Sequence, residues 1–329
     1  MDKPSVIVSG FADEVSLDKS IERQCAVFAE LGLTHLSLRY VDVGQGIKNV
    51  LDITDGEVGI IRHRLAENGL RVWSIGSPLG KVKLVDVNDG TTNRYVERRV
   101  YLDRDVRRAC ELAHAFETKL IRGFSFYPPR GISPANYLDA ATERVAEIVA
   151  VCDREGLTFG LEVEANLVGH TGWILAEMYR RTASAALSLV FDGGNLSVQG
   201  FSADEIFQQY LAMKPGLGWL HVKDYQSGAG RGEPATQTGH FVDEESLSRF
   251  VPVGSGDSGY DRVFADLRES FGTIEARLRD RGWPGICVEL EPHLKQGGQF
   301  GGFSGADGFA LAAEALRRTL AAAQIAIRA

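Results

Sequence analysis

Four short apolar runs in the second half of the chain each end in a side chain able to bind a divalent cation. They are Leu161-Glu162-Val163-Glu164, Val190-Phe191-Asp192, Leu220-His221-Val222-Lys223 and Val288-Glu289-Leu290-Glu291. Three carboxylates and an imidazole make an oxygen-rich donor set that suits Mn2+, Co2+ or Mg2+, and Zn2+ also accepts it. Side chains two apart on a strand share a face. Glu162 therefore goes with Glu164, His221 with Lys223, and Glu289 with Glu291. Carboxylates crowded together repel unless a cation joins them. We take Glu162, Asp192, His221 and Glu291 as the ligands of one ion. Glu164 and Glu289 are the alternatives within their pairs, and the unchosen partner is left to bind substrate or to orient a ligand.

These residues need elements that bring them to one rim. Strand-like runs occur at Ser5–Gly10, Thr34–Arg39, Arg71–Ile75, Lys119–Phe124, Thr158–Glu164, Leu187–Asp192, Trp219–Lys223 and Gly285–Glu291. Helical patterns alternate with them. The first repeats Ile21, Cys25, Phe28 and Leu31 and stops at Gly32. The others are expected near Asp55–Asn68, Asn93–Phe116, Pro134–Glu155, Trp173–Thr182, Ala203–Met213, Tyr260–Arg281 and Ala306–Ile325. Eight strand–helix units predict a single (β/α)8 TIM barrel spanning residues 1–329. The rival, a doubly wound open sheet, is disfavoured because no GxGxxG turn follows the first strand. The long connection Tyr225–Gly259, between the seventh strand and the next helix, is Gly-rich and would emerge at the catalytic rim, which suggests a lid.

Of 329 residues, 44% are hydrophobic and 24% charged, with a net charge of −8 from 36 basic and 44 acidic side chains. That balance argues against a general nucleic-acid binder. No apolar stretch reaches membrane-spanning length, and nothing at the amino terminus resembles a signal peptide, so a cytoplasmic location is expected. The four cysteines, Cys25, Cys110, Cys152 and Cys287, form no CxxC pair and read as buried thiols. Near the rim, Lys81, Arg122 and Lys223 are candidates to bind substrate. His170, His240 and His293 are candidate substrate contacts, and Glu14 could reach the rim from the first loop. Trp173, Trp219 and Phe126 could stack on a sugar, although core roles suit them better.

The chain resembles the xylose isomerase-like TIM-barrel superfamily of sugar isomerases and epimerases. The resemblance rests on residues 9–14, 33–39, 77–81 and 122–126. More specific are Glu162-Val163-Glu164, Phe191-Asp192-Gly193-Gly194-Asn195, His221-Val222-Lys223-Asp224 and Leu290-Glu291-Pro292-His293-Leu294. It implies that Glu162, Asp192, His221 and Glu291 hold one divalent cation, that Glu162 and Glu291 act as acid and base, and that a homodimer forms. Asn195 stands where several relatives carry histidine, and is a candidate substrate contact.

The expected chemistry starts from a small sugar, sugar phosphate or polyol-derived hydroxy-ketone. One glutamate takes the proton beside the carbonyl, a metal-stabilised enediolate forms, and the other glutamate returns a proton. Return to the opposite face epimerises, and return to the neighbouring carbon isomerises. Loss of hydroxide instead makes the protein a lyase of the keto-inositol dehydratase kind. Two other classes are a non-catalytic sugar-binding relative and a repair endonuclease. The latter would want histidines where the second and third strands end in Arg39 and Ser77.

Overall fold

The computed structural model describes residues 3–227, 246–295 and 302–328. Eight strands among them form the barrel wall. They are β1 (Ser5–Gly10), β2 (His35–Leu38), β3 (Arg71–Gly76), β4 (Leu120–Gly123), β5 (Thr158–Glu162), β6 (Leu187–Asp192), β7 (Leu217–Val222) and β8 (Cys287–Leu290). Neighbours pair in parallel from β2 through to β8, and β8 returns to β1. A parallel bridge from Phe11 to Ser37 ties β1 to β2 and closes the circle.

Strands covered on both sides read as apolar runs, and β6 and β7 are buried at every position. The outer layer comprises α1 (Ile21–Glu30), α2 (Asp55–Glu67), α3 (Arg107–Ala115), α4 (Leu138–Arg154), α5 (Gly172–Thr182), α6 (Ala203–Met213), α7 (Tyr260–Asp280) and α8 (Gly305–Ala322). A capping box of Thr54 and Glu57 starts α2, and Gly32 follows α1 at φ +66°, where a side chain would be strained. The four cysteines are free and buried. No helix among the described residues is long and apolar enough to cross a membrane.

Three expectations need correction. The third helical segment starts at Arg98, not near Asn93. Tyr95 is drawn into a bridge with Lys83, and the Glu97 carboxylate accepts the Arg99 and Val100 N–H groups at 3.0 and 2.9 Å. A π-helical stretch, Tyr101–Val106, then leads into α3. The last helix ends at Ala322, and Ala326–Ile327 forms a ninth strand, β9, beside the start of β1. Two residues are too few to show a strand period. Finally β5, β7 and β8 stop early, so Glu164, Lys223 and Glu291 stand just beyond the strands.

The strand register places the chemistry. His221 on β7 lies opposite Asp192 on β6 and opposite Glu289 on β8. Lower in the wall, Gly160 makes room for an indole: a Cβ there would lie 2.0 Å from Trp219 Cη2.

Candidate metal centre

The Glu162, Asp192, His221 and Glu291 side chains converge at the carboxyl-terminal rim, with one potential ligand atom from each lying within 4.8 Å of the others. All four are buried. Glu162 Oε1 is 3.1 Å from His221 Nδ1, and Glu291 Oε2 is 3.7 Å from the same nitrogen. The other ring nitrogen, Nε2, meets Glu289 Oε2 at 3.0 Å. Glu289 also accepts from Ser9 Oγ and from Trp219 Nε1, both at 3.1 Å. A carboxylate held against one ring nitrogen orients the ring and leaves the other, Nδ1, to face the cluster. Glu289 thus lies behind His221, and Glu291 lies in front.

Asp192 does two jobs. Its Oδ1 accepts the Asn195 N–H at 2.9 Å, capping the short helix Gly193–Ser197, while Oδ2 faces Lys223 Nζ at 2.9 Å. Asn195 Nδ2 then reaches Glu162 Oε1 at 3.2 Å, Val163 O at 3.0 Å and Glu164 Oε2 at 3.4 Å. Glycine is required beside it, because a Cβ on Gly194 would lie 2.5 Å from the Lys223 carbonyl oxygen.

Charge is dense here. Arg122 Nε stands 3.2 Å from Glu162 Oε2, and its Nη1 donates to Ser77 O at 3.0 Å. Arg39 Nη1 grips Glu291 Oε1 at 2.6 Å and its Nη2 lies 3.2 Å from Asp13. The two guanidinium groups lie 4.3 and 4.8 Å from the Phe11 ring, within cation–π range. Lys223 Nζ also meets Glu291 Oε2 at 2.5 Å. Burial lowers the His221 pKa, but Glu162 and Glu289 outweigh it and push the pKa up to about 10. Burial raises Asp192 to about 6 against the opposing pull of Lys223. Burial also disfavours ionised Glu291, yet Lys223, His293, Arg39 and His221 together hold its pKa well below the usual carboxylate range.

The donor atoms themselves fit a cation. Glu162 Oε2, Asp192 Oδ2 and His221 Nδ1 are buried and complete no hydrogen bond, although opposite charges stand nearby. Buried polar atoms of native proteins are seldom left so. Three carboxylates and one imidazole around one point fit Mg2+, Mn2+ or Co2+, and also Zn2+.

The other candidates are spread around the rim. Lys81 Nζ lies 3.6 Å from Glu164 and 4.2 Å from the Phe124 ring centre. His293 Nδ1 pairs with buried Glu14 at 2.8 Å, and its Nε2 is 3.7 Å from Glu291. Its φ of +52° is uncommon for a non-glycine residue and often accompanies a functional constraint. His170 stands apart: its Nδ1 is 3.2 Å from Val168 O, and its carbonyl accepts from Gln199. Trp219 and Phe126 are fully buried, whereas Trp173 is exposed at its edge with Phe201. His240 lies outside the described residues, as does most of the connection expected to form a lid. The described base of that connection is tied down by Asp224, whose carboxylate accepts the N–H groups of Tyr225, Gly254, Gly256 and Ser258.

Sequence reading gave no role to Arg39, Asp13 or Phe11. Arg39 carries the strand-end signal that marked the others, but Asp13 lies in the one-turn 3-10 helix Ala12–Val15 and Phe11 caps it, where no strand-end signal falls.

Glu289→Gln keeps the shape but weakens the acceptor behind His221. We expect divalent-ion affinity to fall about 10–100-fold, read by competition with a metal-sensitive dye. Unchanged affinity would show that Glu289 does not set the ring.

The profile of the xylose isomerase-like TIM barrel family matches residues 25–319. No curated protein matches the chain by sequence. Among solved structures, a xylose isomerase-like TIM barrel protein from Mycobacterium smegmatis in complex with magnesium is 18% identical. The match covers 98% of each chain with a TM-score of 0.62. The probable 3-DHS dehydratase AsbF from Bacillus anthracis is 15% identical over 95% of this chain and 98% of its own, with a TM-score of 0.62. The D-allulose 3-epimerase from Methylomonas sp. in complex with D-allulose is 14% identical over 89% and 87%, with a TM-score of 0.56. At these identities the likeness establishes a shared barrel. With a family profile matched over most of its length, the chain belongs to the xylose isomerase-like TIM barrel family.

Proposed function

We propose that this protein is a divalent-metal-dependent isomerase or epimerase of a small, uncharged hydroxy-ketone of the sugar or polyol class. The carrying observation is the approach of Glu162 Oε1, from β5, and Glu291 Oε2, from just beyond β8, to the same His221 Nδ1, at 3.1 and 3.7 Å. Glu162, Asp192, His221 and Glu291 would hold the cation. Bound there, it supplies Lewis acidity to a carbonyl and its neighbouring hydroxyl.

The chain's own groups do the rest. Glu162, steered by Asn195 and Arg122, takes the proton from the carbon beside the carbonyl. Glu291, steered by Arg39 and Lys223, passes a solvent proton to the opposite face or to the adjacent carbon, and Glu162 releases its own proton to solvent. Glu164 and Lys81, paired at the rim, and His293 are placed to contact hydroxyls.

The charge pattern supports an uncharged substrate. Among the described residues the rim cations already face carboxylates: Lys81 faces Glu164, Arg122 faces Glu162, and Lys19 lies 3.9 Å from Asp13. Arg39 faces Asp13 and Glu291, and Lys223 faces Asp192 and Glu291. A phosphate would add about two negative charges at neutral pH beside cations already committed to these carboxylates.

The test is incubation of the metal-loaded protein with neutral ketoses and inososes in deuterated water. Deuterium entering the carbon beside the carbonyl, with an epimer or aldose as product, is the expected result. An enone absorbance with loss of water would assign the dehydratase reading. Binding without exchange would remove catalysis from the account.

A further inference from the structure

The opposite pole of the barrel holds a cavity of about 510 Å3 between the starts of β3 and β4, the end of α3 and the turn before β8. Pockets of this size take small organic ligands. Its lining combines two features. The first is uncommitted positive charge. Arg71 and Lys119 line the cavity, are exposed, and form no ion pair among the described residues. Arg62, also in the lining, lies 3.4 Å from Glu117. The second is a pair of orphaned donors. Trp73 and Trp283 are 2% and 3% exposed, and neither indole N–H has a hydrogen-bond partner. Buried donors are nearly always paired, and both indoles stand in the cavity's wall.

The walls restrict the ligand's shape. Trp73 and Trp283 stand edge to face with ring centres 6.2 Å apart, and Phe116 and Leu70 add apolar surface. Flat aromatic walls favour a flat body. The exposed guanidinium of Arg71 and ammonium of Lys119 favour an anionic head that only accepts hydrogen bonds. We propose that this cavity is a second, non-catalytic binding site for a small planar organic anion, of the aromatic or conjugated carboxylate class. The site is independent of the metal reading, since none of its residues belongs to the carboxyl-terminal rim. Close approach is built in at Gly282, where a Cβ would lie 2.7 Å from Lys119 Nζ.

The structure also supplies a reporter. Trp219 lies 5.8 Å from Trp283 and 6.4 Å from Trp73 between ring centres. Three of the four tryptophans therefore surround this pole. The test is titration of the full chain with 1-naphthoate, followed by tryptophan fluorescence and calorimetry. The neutral isostere 1-naphthalenemethanol and inorganic phosphate are the controls. We expect saturable one-site quenching by naphthoate, with both controls about tenfold weaker or worse. Arg71→Ala with Lys119→Ala should raise the naphthoate dissociation constant about tenfold or more. Because both side chains are exposed, the double variant should keep the parent's melting temperature. Equal binding of the alcohol would overturn the anionic head, and equal binding of phosphate would overturn the planar body. A dissociation constant unchanged in the double variant, or binding lost in Glu162→Gln instead, would place the ligand elsewhere and end the proposal.

Discussion

Glu162→Gln and Asp192→Asn should each leave the purified protein with little divalent ion, where the parent carries close to one per chain. Each change keeps the volume but deletes one negative charge from a buried cluster of three carboxylates and one imidazole. A divalent ion removed from water needs that charge to replace its hydration. Glu162→Gln should also slow turnover by about 10²–10⁴-fold even at saturating metal, the usual contribution of a placed acid–base group. Glu164→Gln is the control. Its carboxylate is reached by Asn195 and Lys81 at the rim, so the variant should keep its metal. Elemental analysis of the three variants beside the parent decides the matter. Full occupancy in both Glu162→Gln and Asp192→Asn would remove the metal assignment, and loss in Glu164→Gln and Asp192→Asn with full occupancy in Glu162→Gln would exchange the two glutamates.

Arg39→Met carries the largest expected stability effect. The Arg39 guanidinium is buried against Asp13 at 3.2 Å, Glu291 at 2.6 Å and Glu14 at 3.8 Å. Burial penalises the charged form, but Asp13, Glu291 and Glu14 more than compensate and raise its pKa. Methionine would leave Asp13 fully buried with only Lys19, 3.9 Å away, as its cation. Removing one partner of a buried pair costs about 3–5 kcal/mol. Denaturant unfolding of the chelator-treated protein should register a loss of that order. Adding Asp13→Leu should recover part of it, as a double-mutant cycle would show. A loss below about 1 kcal/mol would class Arg39 with ordinary surface pairs.

The two Glu-x-Glu pairs show where local sequence stops being informative. Period-two alternation puts Glu162 with Glu164, and Glu289 with Glu291, on common faces, but it cannot say which member of a pair reaches inward. The structure turns the second pair in opposite senses about one imidazole: Glu289 meets Nε2 and Glu291 approaches Nδ1. Arg122 reads in the sequence as a cation for substrate, whereas its guanidinium is spent on Glu162 and Ser77.

The alternation of strands and helices, the closed barrel it implies, and a common rim for the charged strand ends were legible in local patterns of residues. Those properties follow from side-chain period and from the cost of burying charge against a helix layer, and both are local. Which side chains meet depends on the assembled barrel. The register that sets His221 between Asp192 and Glu289, the bridge from Phe11 to Ser37, and the reach of Arg39 to Glu291 join segments up to 252 residues apart. Contacts of that span depend on how neighbouring strands align around the circle, which no short window of sequence contains.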